Sequence, residues 1–181
     1  MNPGAYENVN IMKNIARWLT VSLAIVSLAG CGGCPYSFTG SSVPPHLKTI
    51  GIALFDDQSG FGEPNLREEF TNKLIALFQQ DNSLEVADKT HSDSILEGLI
   101  TSVRDDPSVV AKGESVTKRR VTIAVKVTFQ DMKLRKRVWE REFSGWGDYE
   151  ISSGLAERTT AIADAIQKLG EDILNATVSG W

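Results

Sequence analysis

Between Val121 and Gln130 apolar and polar residues alternate: Val121, Ile123, Val125, Val127 and Phe129 are interleaved with Thr122, Ala124, Lys126, Thr128 and Gln130. Successive side chains of a strand point to opposite faces, so this run reads as a strand with one face in a core and the other polar. Strands of parallel sheets, covered by helices on both sides, read instead as continuous apolar runs. The alternation therefore predicts an antiparallel strand with one side left uncovered by helices. A turn is expected near Lys133 to Lys136, with Arg137 to Phe143 returning as the partner strand.

The other elements are arranged around this hairpin. His46 to Phe55 reads as a first strand, with Ile50, Ile52 and Leu54 on one face. Asp56 to Pro64 is turn-rich and reads as a connection, since Gly60 and Gly62 alone make no phosphate cradle. Asn65 is expected to cap a helix, with Glu68 at the capping-box position. Leu66, Phe70, Leu74, Leu77 and Phe78 form that helix's core stripe. Two short strands follow, Leu84 to Ala87 and Ile95 to Val103, and then a polar loop from Arg104 to Val116. After the hairpin, Ser144 to Glu150 reads as a glycine-rich corner carrying Trp146 and Tyr149. A long helix from about Gly154 to Thr177 closes the chain. Its stripe is Leu155, Ile162, Ile166, Leu169 and Ile173, with Ala163 and Ala165 permitting close approach. The predicted class is α+β: a two-layer α/β sandwich, with two helices on one face of a mostly antiparallel sheet of about four strands.

The N-terminal segment is of a different kind. Lys13 to Arg17 is basic, Trp18 to Leu28 is apolar, and Leu28-Ala29-Gly30-Cys31 places small residues before a cysteine. These are the parts of a secretory signal peptide, and the last four residues resemble the bacterial lipobox. An apolar run of about eleven residues is too short to cross a bilayer, which needs roughly 20. The expected organisation is a signal peptide over residues 1–30 (with Met12 as an alternative start), a lipidated tether over 31–45, and a single domain over 46–181. Cys31 is the expected lipidation site and mature N-terminus. The tether contains Pro35, Pro44 and Pro45 and would reach roughly 45 Å if fully extended. Gly32 occupies the position where an Asp favours inner-membrane retention, so the outer membrane is the expected location, lipid-anchored at its periplasmic face.

Charge is unevenly distributed. The chain carries a formal net charge of −4. Without residues 1–30 there remain 17 basic and 22 acidic side chains, a net of −5. Between Lys112 and Arg141 ten basic residues face only Glu114, Asp131 and Glu140, a local balance of +7. Such a split suggests an edge that meets something anionic. The cysteines, Cys31 and Cys34, lie in a Gly- and Pro-rich tether, where a redox Cys-x-x-Cys is out of place and no structural disulfide is expected. His46 and His91 make no metal-ligand spacing. No Ser/His/Asp set and no spaced acid pair can be assembled, so neither an enzyme nor a bound metal or cofactor is expected.

Cys31-Gly32, Tyr36-Ser37-Phe38-Thr39-Gly40 and Pro44-Pro45-His46-Leu47-Lys48-Thr49-Ile50 together resemble the opening of the lipopolysaccharide-assembly lipoprotein family, LptE. The resemblance continues through Asn65-Leu66-Arg67-Glu68, Leu96-Glu97-Gly98 and Val138-Trp139-Glu140. The insert at Cys34-Pro35 departs from the family's usual spacing after the lipid cysteine. The resemblance implies two helices on a four-stranded sheet. It also implies an outer-membrane lipoprotein that acts as plug and partner of the β-barrel LptD, helping deliver lipopolysaccharide to the outer leaflet.

A competing function is that of a lipid-anchored periplasmic module of another envelope machine, such as a cell-wall synthase activator or a secretion-channel subunit, because the same sandwich serves those too. The residues expected to contact lipopolysaccharide are Lys118, Arg119 and Arg120 at the base of the hairpin, with Lys133, Arg135, Lys136 and Arg137 at its tip. Arg forms forked, charge-assisted hydrogen bonds to phosphate oxygens and Lys supplies point charges. The alternative role for these charges is protection of a long hairpin edge against aggregation. Nucleic acid is not an expected partner of an exported lipoprotein.

Overall fold

A computed structural model of the chain describes residues 43–108, 118–179 and 181. The signal segment, Cys31, Cys34 and the tether up to residue 42 lie outside the described residues. Along the chain the elements are β1 (Thr49–Ile52), β2 (Asp56–Asp57), α1 (Leu66–Asp81), β3 (Glu85–Val86), β4 (Ser94–Pro107), β5 (Lys118–Asp131) and β6 (Lys136–Glu150). A single 3-10 turn, Ile151–Ser153, then leads into α2 (Leu155–Ser179).

The alternating run sits at the centre of β5, where Val121, Ile123, Val125, Val127 and Phe129 are all fully buried. β4, β5 and β6 form an antiparallel meander, with β5 in the middle. β1 joins the free side of β4 in parallel and pairs with β3, also in parallel, giving the order β3-β1-β4-β5-β6. β2 adds a second parallel contact along β4. The sheet is thus mixed and six-stranded, where the sequence led us to expect about four mostly antiparallel strands. β3 lies within the expected short strand Leu84 to Ala87, whereas β2 falls in the stretch read as a connection; each is two residues long. So short a strand as β2 leaves no periodicity to read.

The first strand is also shorter than expected. Ile52 pairs with Leu96 and Asp56 with Leu99, four steps along one chain against three along β4. One extra residue reverses the alternation, as in a bulge. Leu54 consequently turns outward, 49% exposed, and Phe55 turns into the core at 0%. β4 continues to Pro107, four residues beyond the expected Val103, through an irregularity at Thr101.

Both helices pack on the inner face. Leu66, Phe70, Leu74 and Phe78 of α1 are buried as their spacing predicts, and Leu77 is half-buried. Asn65 does not cap with its side chain: its φ is +60°, in the left-handed region that Asn tolerates, and no side-chain cap bond forms. In α2, Ile162, Ile166, Leu169 and Ile173 are buried, but Leu155 is 80% exposed because the helix starts more than a turn before its first core contact at Ala161. Close approach is made by Ala161 and Ala165, not Ala163, which is exposed.

The expected glycine-rich corner is instead the final stretch of β6. A Cβ at Gly147 would lie 2.0 Å from the Ala161 carbonyl oxygen, and one at Gly145 would lie 2.5 Å from that of Ala165. The glycines therefore leave room for α2 to rest on the backbone of β6.

Candidate interaction surfaces

Among the described residues, the helices cover one face of the sheet and leave the other bare. On the bare face of the meander the cross-strand neighbours are mainly polar: Lys126 pairs with Glu140 at 2.8 Å, Arg137 with the same carboxylate at 2.8 Å, and Gln130 donates to Glu97 at 3.3 Å. Lys126 and Arg137 hold the Glu140 carboxyl below its usual range. Such cross-strand pairs stabilise a sheet modestly and keep its surface wet. A shallow depression of about 270 Å³ lies here, lined by Glu97, Gly98, Leu99, Lys126, Thr128 and Glu140.

The seven basic residues singled out from the sequence divide into two groups. The hairpin strands are 14 and 15 residues long, so base and tip stand roughly 40 Å apart at about 3.3 Å per residue. At the base, Lys118 approaches Glu150 at 3.8 Å, and Arg119 donates to Asp105 at 2.8 Å. Arg120 forks onto both oxygens of Asp148 at 2.6 and 2.9 Å. The Arg120 guanidinium holds the Asp148 carboxyl well below the ordinary range. Arg120 also lies 3.8 Å from the ring centre of Trp146, as does the Lys168 amine from α2, which donates to the Trp146 carbonyl at 2.8 Å. Trp146 thus stays 41% exposed on the bare face, beside two cations.

At the tip, Lys133 pairs with Asp93 at 3.0 Å and Arg137 with Glu140. Arg135 and Lys136 are exposed and face no carboxylate within salt-bridge distance among the described residues. This pairing limits what the cluster can do. A guanidinium already closed by a carboxylate must release it before binding a phosphate, so Arg135 and Lys136 are the cations most ready to meet an external anion.

The tip is not free of the domain. His46 Nε2 lies 2.6 Å from Asp131, which is 3% exposed, and Lys133 donates to the His46 carbonyl at 2.8 Å. Asp93 accepts from the Lys48 and Thr49 amides at 2.8 and 3.2 Å. Those amides, with Lys133, keep the Asp93 carboxyl ionised to lower pH than usual. Burial pushes the Asp131 carboxyl up, but the Leu134 amide and His46 outweigh it and hold it below its ordinary value. The hairpin turn is thus stapled to the segment by which the chain enters the domain.

A second polar cluster closes the opposite end of the inner face, and nothing in the sequence pointed to it. Asp105, placed by the sequence in a polar loop, lies in β4 and accepts from Arg119, from the Tyr149 hydroxyl at 2.8 Å and from Arg158 Nε at 3.2 Å. Arg158 also donates to Glu63 at 2.8 Å and lies over the Phe61 ring. Five parts of the chain meet here, so no local spacing could reveal it. Among the described residues, no group of His, Cys, Asp or Glu is arranged to hold a metal ion, and no helix is long and apolar enough to cross a membrane.

Residues 47–177 match the family model described as LptE, Lipopolysaccharide-assembly. A protein from Xanthomonas campestris shares the fold at 14% identity and TM-score 0.55, covering 77% of this chain and 91% of its own. An uncharacterized lipoprotein B from Nitrosomonas europaea does so at 13% identity and TM-score 0.53, over 82% and 92%. A hypothetical protein from Chlamydia trachomatis follows at 7% and 0.52, over 72% and 93%. Among curated proteins no sequence matches. At these identities the structural likeness concerns the fold alone.

Proposed function

The chain belongs to the LptE lipopolysaccharide-assembly family, and from that premise we propose that it is an outer-membrane lipoprotein acting as plug and partner of the β-barrel LptD, assisting delivery of lipopolysaccharide to the outer leaflet. The family is a lipoprotein family and a non-enzymatic one. In this reading Cys31 carries the acyl chains at the periplasmic face of the outer membrane. Three chains anchor durably where a single one, at about 0.8 kcal/mol per buried CH₂, would exchange.

The observation that carries the partner role is the one-sided sandwich. Its helices are committed to the inner face, and its bare face presents a wet, charge-paired surface with Trp146 exposed at one corner. Such a face suits a non-covalent contact with the polar interior wall of a barrel, since interfaces of this kind are about as polar as ordinary protein surface. Glycolipid contact is assigned to the base of the hairpin, where Lys118, 60% exposed and 3.8 Å from the Glu150 carboxylate, stands on that face with Lys168 close by; Arg120, 38% exposed, would have to exchange Asp148 for a phosphate oxygen. Arg119 supports them from the inner face through Asp105.

Affinity purification of the lipidated chain from native outer membranes, after mild cross-linking, tests the reading. Recovery of a large β-barrel in stoichiometric amount is expected. Recovery of a cell-wall synthase or a secretion channel instead would favour the other envelope-machine role, and a free monomer would overturn the plug.

A further inference from the structure

We propose that the hairpin turn Met132 to Lys136 is a docking element for the anionic phospholipid surface of the leaflet that holds the protein's own anchor. This rests on the lipoprotein reading and gives the tip a different ligand from that of the hairpin base. Four observations support it.

First, the turn carries two of the few large apolar side chains left in water, Met132 at 42% and Leu134 at 66% exposure. Second, they are interleaved with Lys133, Arg135 and Lys136, and the last two have no carboxylate partner among the described residues. Apolar side chains set among basic ones are what an interfacial segment needs, insertion at the acyl boundary plus attraction to anionic headgroups.

Third, Arg135 adopts a φ of +50°, a left-handed conformation that costs a non-glycine residue about 1–2 kcal/mol. A Gly or Asn would sit there more easily, yet a long cation stands in the turn. Fourth, the chain enters the domain beside the turn. Cys31 is only twelve residues before Val43, a reach of at most about 40 Å. The entering segment is then fastened to the turn through His46–Asp131 and Lys133–His46. The chain therefore enters the domain at the tip of the hairpin and not at its base.

The test uses the full lipidated chain in vesicles of phosphatidylethanolamine and phosphatidylglycerol, in a Cys34→Ser background. An environment-sensitive fluorophore is placed on Leu134→Cys or, as a control at the far end of the hairpin, on Ile151→Cys. Quenching by nitroxide lipids is expected at position 134 and not at 151. Replacing Arg135 by Asn and Lys136 by Ser should lower the docked-to-free ratio about fivefold for each cation removed. Asn suits the left-handed backbone, so the turn should keep its fold, and high salt should act in the same direction.

Equal quenching at the two positions, no loss in the double variant, or quenching at 134 that appears only when lipopolysaccharide is added would each overturn the proposal, the last in favour of a glycolipid site. Flotation reports the anchor separately. Protein that floats without a difference between the labels refutes only the docking; protein that does not float refutes the lipoprotein reading and the docking with it.

Discussion

The ring of Phe55 occupies the space that a side chain on Gly98 would fill: a Cβ built there lies 1.9 Å from the ring's Cε1. Phe55 reaches this place because one extra residue between β1 and β2 turns it inward, where it also packs against Phe70 at 4.8 Å between ring centres. Gly98 is thus the floor on which the bulge is built. Gly98→Ala should push the ring out of its site and destabilise the fold by about 1–3 kcal/mol, the usual cost of overpacking. Urea unfolding would measure it, and adding Phe55→Leu should recover part of the loss.

Gly147→Ala should cost more than Gly98→Ala. The obstacle is the Ala161 carbonyl at 2.0 Å, main chain of α2, where the obstacle at Gly98 is a side chain. A ring can tilt, but a helix backbone can only lift away as a whole, taking Ala165 and Leu169 with it. A thermal midpoint at or above that of the Gly98 variant would count against this account of how α2 meets β6.

The Asp105 carboxyl gives the fold an acid-sensitive fastening. Burial pushes it up, but hydrogen bonds from Arg119, Tyr149 and Arg158 prevail and hold it below the ordinary carboxylate range. A group whose folded pKa is depressed contributes stability that is present above its unfolded value of about 3.9 and is lost as pH falls through the folded one. Asp105→Asn should lower stability by about 1–3 kcal/mol at neutral pH, since it leaves Arg119 and Arg158 less well paired. Its unfolding free energy should also vary less with pH below 4 than that of the unaltered protein.

Lipid attachment has a direct readout. Intact-mass measurement of protein from membranes should find residues 1–30 absent and Cys31 carrying acyl chains. Cys31→Ser should leave an unprocessed, unacylated precursor, and an unmodified Cys31 in the unaltered protein would remove the anchor from this account.

Glycolipid contact at the hairpin base predicts that Lys118→Ser with Arg120→Ser weakens lipopolysaccharide binding severalfold, and most at low salt, where exposed charges are least screened. The partners left behind, Glu150 and Asp148, are about half and a third exposed, so the fold should tolerate their release. Unchanged affinity in the double variant would leave these charges as edge protection alone.

What the sequence determined by itself was whatever repeats with a short period. The alternation of Val121 to Phe129 set the central strand and its buried face, and the stripes Leu66 to Phe78 and Ile162 to Ile173 set both helices, because a face that must leave water is written at every second or every third to fourth residue. Family membership was legible for a different reason, from the short motifs between Cys31 and Ile50, with Asn65 to Glu68, Leu96 to Gly98 and Val138 to Glu140 behind them. Tertiary structure decided what depends on a neighbour distant in the chain. The turn inward at Phe55 follows from register against β4, and the need for glycine at positions 145 and 147 of β6 follows from the approach of α2. The pairing of the basic residues was likewise hidden: Lys118, Arg119 and Arg120 are consecutive in sequence, yet alternate faces give them three different carboxylates, at positions 150, 105 and 148. Composition counts charges; only the register of the strands determines which of them are already neutralised.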